Sequence, residues 1–152
     1  MGNQSIRSQL LAVCNQFVTE RISTVERAIA HAQASAASET KSSMGDKYDT
    51  ARAMAQQEAD HSRSQLGDAI ALKNLLDQCP TQAPGEIVTT GSIVYTSQHR
   101  YFIAIPIGPV QIGELTFFVI SRMSPIGKLL VGKRAGDQFS WQGNLITIER
   151  VL

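Results

Sequence analysis

The stretch Ser42-Ser43-Met44-Gly45-Asp46-Lys47-Tyr48-Asp49-Thr50 lies between two long runs without proline and carries two acids at i and i+3. It reads as the tip of a helical hairpin that presents Asp46 and Asp49. On its N-terminal side Leu11, Val18, Val25 and Ala32 recur at heptad spacing, with Cys14, Ile22, Ile29 and Ala36 between them. That is the stripe of a helix packed along one long partner. On its C-terminal side Ala55, Ala59, Ser62, Leu66, Ala69, Lys73 and Leu76 alternate at spacings of three and four. An antiparallel hairpin folded near Gly45 sets the small Ala32 and Ala36 against Ala55 and Ala59. Nearer the base it sets Leu11 and Val18 against Leu76 and the region of Ala69 and Ile70. Arms of this kind extend about 45 Å at 1.5 Å per residue.

The chain changes character near residue 80. All five prolines lie from Pro80 onward, and only Phe17 and Tyr48 among the aromatics precede it. The expectation is therefore an α+β protein: a helical coiled-coil hairpin over 1–79, a stiff linker over 80–84 and a β-rich domain over 85–152. In the second part Ser92–Thr96, Tyr101–Ile105, Leu115–Ser121, Asp137–Trp141 and Leu145–Leu152 read as strands of an antiparallel sheet. Pro106-Ile107-Gly108-Pro109 reads as a break in it. Ser124-Pro125 is a natural N-cap followed by proline at N1, which opens a short helix.

With 152 residues, 43% hydrophobic, 18% charged and a formal net charge of +1, the chain has the composition of a globular protein. It lacks the basic field that drives non-specific nucleic-acid binding. The first residues show neither a signal-peptide pattern nor a myristoylation pattern, and no apolar run is long enough to span a membrane. The expectation is a reducing cytoplasm. Cys14 and Cys79 fall near each other at the hairpin base, where two buried thiols fit that compartment better than a disulfide. His31 and His61 fall nearly opposite one another without the spacing of a zinc motif. No phosphate-binding loop is present.

Two motifs give the chain a resemblance that covers nearly its whole length. Gly45-Asp46-Lys47-Tyr48-Asp49 is similar to the Gly-Asp-x-x-Glu hairpin tip of the bacterial Gre family of transcript-cleavage factors. Ser121-x-x-Ser124-Pro125-Ile126-Gly127, continuing through Val131-Gly132-Lys133-Arg134-Ala135-Gly136-Asp137, resembles the C-terminal signature of the same family and is the more specific of the two.

The resemblance implies a coiled-coil hairpin followed by an FKBP-like domain. It also implies a factor that docks on RNA polymerase through the C-terminal domain and enters the secondary channel with its tip. There Asp46 and Asp49 would help hold an active-site Mg²⁺, and the polymerase would cleave its own backtracked nascent RNA. Such a protein is an activator without enzymatic activity of its own, a monomer, and contacts RNA only indirectly. Tyr48, Ser124, Pro125 and Ile126 are the expected partner contacts. This chain departs from the family at Asp49, where Glu is usual, in Thr50-Ala51-Arg52-Ala53-Met54 after the tip, and at Leu129, where a small residue is usual.

Carboxylates at i and i+3 in a first helical turn point to one side and can share a hard cation. The plain structural alternative is an N-cap acid and its neighbour, stabilised by the helix dipole. Three rival functions fit parts of the sequence: a secondary-channel regulator that does not stimulate cleavage, an FKBP-like peptidyl-prolyl isomerase, and a dimerising coiled-coil adaptor. The isomerase needs an aromatic-lined pocket, whereas Tyr101, Phe102, Phe117 and Phe118 sit at adjacent strand positions and so fall on both faces.

Overall fold

The computed structural model describes the backbone of residues 2–39 and 45–152, and the side chains of 6–35 and 49–152. The protein is α+β. Helices α1 (Gly2–Glu39) and α2 (Gly45–Asp77) precede β1 (Ile93–Thr96), β2 (Arg100–Ile103), β3 (Gly108–Ile112) and β4 (Leu115–Ile120). Helix α3 (Pro125–Leu130), β5 (Gln138–Trp141) and β6 (Asn144–Val151) complete the chain. Two compact units result, one of Val18–Lys73 and one of Met1–Phe17 with Asn74–Leu152.

In the first unit the described residues show the alanine-rich stripes expected from the sequence. Val18, Val25 and Ala32 are buried on α1, and Ala55, Ala59, Ser62 and Ala69 on α2. Lys73, expected on the α2 stripe, is exposed instead. A long amphipathic lysine keeps its ammonium in water even when its stem lies near a seam.

In the second unit the sheet runs in the order β3-β4-β2-β1-β6-β5. This corrects the expectation of an antiparallel sheet. β4 runs parallel to β2, with Arg100 opposite Phe117 and Ile103 opposite Ile120. The cause is an unforeseen strand. Gly108–Ile112 pairs antiparallel with β4 across a tight turn at Gly113-Glu114, so the chain reverses once more before β4 enters beside β2. The segment read as a break ends in this strand, and Pro109 is tolerated there because β3 is an edge. A second tight turn lies at Gln142-Gly143. Both residues have positive φ, 51° and 83°, which matches the twist of a two-residue hairpin joining Trp141 to its partner Asn144.

One face of the sheet carries a core of Val94, Tyr101, Ile103, Phe139, Ile146 and Ile148, closed by Ile126 and Leu130 of α3. Phe102, Phe117, Ile93 and Val119 are also fully buried. Phe102 and Phe117 thus fall on the opposite face from Tyr101, as alternation along a strand requires. The N-terminal turns of α1 belong to this unit and bury Arg7, Leu10 and Cys14. Leu11, expected on the stripe, is only half buried, because the i, i+3, i+7 row starting at Arg7 faces inward here.

Candidate functional site

Gly45 opens α2, so Asp46, Tyr48 and Asp49 lie at its N-terminal end. Asp49 is exposed. The side chains of Asp46 and Tyr48 fall outside the described residues. Among the described residues no group of three or more His, Cys, Asp or Glu could hold a metal ion. Two carboxylates would in any case supply only part of the six-oxygen shell that Mg²⁺ requires.

The second motif is fully described, and its residues build one another's positions. The Ser124 hydroxyl donates to the Ser121 carbonyl at 2.7 Å and accepts from the Gly127 amide at 3.0 Å, which caps α3. Ser121 in turn accepts from the Met123 amide at 3.1 Å. Pro125 occupies the first helical turn, where its missing N–H costs nothing. Gly127 is obligatory for room: a Cβ there would lie 2.2 Å from the Ser121 carbonyl oxygen and 2.8 Å from the Ser124 hydroxyl. Ile126 enters the core. Of the three residues of this motif expected to meet a partner, Ser124, Pro125 and Ile126, only Pro125 is exposed. Met123, which the sequence reading passed over, is 66% exposed beside it. A large apolar residue between two turn-forming serines was the available signal.

A third cluster lies in the same unit, where Arg7 is only 3% exposed. One guanidinium nitrogen donates to the carbonyl of Gly91, and Nη2 has no partner. Gly91 adopts φ +94° and is pressed against Pro80, so that a Cβ there would lie 2.4 Å from Pro80 Cδ. Cys79, next in the chain to Pro80, and Cys14 are both buried and both free, as the composition led one to expect. Burial pushes the Cys14 thiol from 9.0 up to about 12, with the neighbouring Cys79 adding to the effect. Burial likewise raises Cys79, opposed by the positive charge of Arg7. Burial lowers the pKa of Arg7 itself. Buried, protonated thiols are poor nucleophiles, so this cluster has the chemistry of a structural clamp. Nothing in the sequence marked Arg7, since a lone arginine near a chain start has no pattern.

Compared with family models and with curated proteins, the chain matches none of either. Among the described residues no helix is long and apolar enough to cross a membrane.

Proposed function

We propose that this chain is a divergent Gre-type transcription elongation factor that works as a cytoplasmic monomer on RNA polymerase. One observation carries the reading, the joint placement of the two motifs. Gly45-Asp46-x-x-Asp49 opens a helix of 33 residues that follows one of 38, and Ser121–Gly127 forms a capped turn in the α+β unit. In this reading α1 and α2 pair as an antiparallel coiled-coil hairpin. Its support is that Val25 of α1 lines one groove with Ala69 and Leu72 of α2. The sheet with its single short helix takes the part of the FKBP-like domain. Asp46 and Asp49 offer carboxylate oxygens at the hairpin tip, and Pro125 with Met123 offers an apolar contact to the polymerase. A shared Mg²⁺ would supply the Lewis acid for hydrolysis of backtracked RNA.

The test is RNA release from stalled elongation complexes. The wild-type chain is expected to accelerate it, and Asp46→Asn and Asp49→Asn are each expected to lower that stimulation at least tenfold while leaving polymerase binding intact. No stimulation by the wild-type chain overturns the cleavage role. One residue favours a second reading, a channel regulator that does not cleave: Asp49 is one methylene shorter than the family's usual Glu. Under that reading Asp49→Glu creates stimulation that the wild type lacks.

A further inference from the structure

Three side chains on adjacent strands form a cationic platform. Tyr95 on β1 pairs directly with Arg100 on β2 and with Arg150 on β6, so all three project from one face of the sheet. The guanidinium carbons lie 5.9 Å (Arg100) and 5.2 Å (Arg150) from the centroid of the Tyr95 ring. Those two distances keep the charges within about 11 Å of each other. The ring is itself held edge-on by Phe117, at 6.1 Å and 86°. Phe117 is fully buried and pairs with Arg100 across β2 and β4.

Two features set the platform apart from an ordinary charged surface. First, neither arginine forms an ion pair with an acid among the described residues, whereas Arg63 and Asp60 on α2 do. Two like charges thus share one ring with no ion-paired acid among the described residues, which leaves their N–H forks available. Second, the aromatic centre of the platform packs edge-on against the buried Phe117 ring, and both guanidiniums rest against it. Guanidinium groups oriented in advance lose little freedom when they bind, and their planar forks match carboxylate oxygens two at a time.

We propose that Arg100, Tyr95 and Arg150 form a docking surface for an acidic helix of a protein partner, with two carboxylates about one turn apart engaging the two guanidiniums. Carboxylates at i and i+4 have Cβ atoms about 5–6 Å apart, and glutamate side chains reach the remaining distance. The chemistry favours a protein over a nucleic acid. Nucleic-acid binding gains strength from many phosphate contacts, whereas this chain has a net charge of +1 and the platform offers two cations. A base would need a free aromatic face for stacking, and the Tyr95 ring is already engaged by two guanidiniums and Phe117. The inference does not rest on the polymerase reading, since the tip acids and the Ser124 turn take no part in it.

The experiment uses the full chain labelled with ¹⁵N and three probes: a Glu/Ala helical peptide with glutamates at i and i+4, the same peptide with Gln for Glu, and an oligothymidylate. The expected result is saturable movement of the Arg100 and Arg150 Nε–H resonances by the Glu peptide. The double variant Arg100→Gln, Arg150→Gln should bind it at least tenfold more weakly with an unchanged circular dichroism spectrum. Arg→Lys at both positions should recover less than half of the binding, because lysine restores charge without the fork. If the Gln peptide binds equally well, or the oligothymidylate binds more tightly than the Glu peptide, or the double variant is unaffected, the proposal is wrong.

Discussion

Gly127→Ala sets two physical effects against each other. In a helix interior, alanine is favoured over glycine by about 1 kcal/mol, so propensity alone stabilises the variant. Packing acts in the other direction. The new Cβ would lie 2.2 Å from the Ser121 carbonyl oxygen, a backbone atom that cannot swing aside, and 3.1 Å from the Arg122 carbonyl carbon. Overpacking of this kind costs about 1–3 kcal/mol, and a contact this short against backbone belongs at the upper end. The same Cβ meets the Ser124 hydroxyl at 2.8 Å and displaces the cap of α3, costing about 1 kcal/mol more. The net is a loss of about 3 kcal/mol, or roughly 12–24 °C in the melting of a unit this size. The assay is thermal unfolding followed by the fluorescence of Trp141. It is the chain's single tryptophan and packs against the core that α3 closes, so it reports this unit. Ser124→Ala should lower the same transition by about 1 kcal/mol through the cap alone. If Gly127→Ala melts at or above the wild-type temperature, propensity wins and the close-contact argument fails.

Other perturbations reach different parts of the same unit. Gly91→Ala combines a φ of +94° with a 2.4 Å approach to Pro80, and a loss of about 3 kcal/mol is expected in urea unfolding; a change below about 0.5 kcal/mol would show that Pro80 moves freely. The Cys14 thiol is raised from 9.0 to about 12 in the folded state, so its contribution to stability is complete below pH 9 and is lost as pH rises towards 12. Melting temperatures should therefore fall over that window, with a shallower slope in Cys14→Ala, and equal slopes would contradict the burial of the thiol. Alkylation of the native chain at neutral pH should leave Cys14 unmodified while the urea-unfolded chain reacts fully, and rapid native labelling is the result that counts against it.

Local signals made much of the α+β unit legible. Ser124-Pro125 marked the start of α3 because capping and a fixed φ act within one turn of helix. The runs around Ile93, Phe117 and Ile148 marked strands because β-branched and aromatic residues suit a pleated, buried surface. Gly108–Ile112 was missed because Pro109 argues against a strand unless the strand is known to be an edge, and edges are defined only by pairing. Ile126 was read as a partner contact because a motif says which residues occur together and not which way they point.

The sequence by itself determined where the helices and five of the six strands lie, where α3 is capped, and that the long helices carry small-residue stripes. All of these depend on neighbours within a few positions. Only the tertiary structure decided that β4 enters parallel to β2, that Arg7 is buried against Gly91, and that Arg100 and Arg150 share the ring of Tyr95. Each of these depends on strand order and register, set by the closing of a core between segments far apart in the chain. Residues 100 and 150 meet because β1 lies between β2 and β6, and no local pattern encodes that placement.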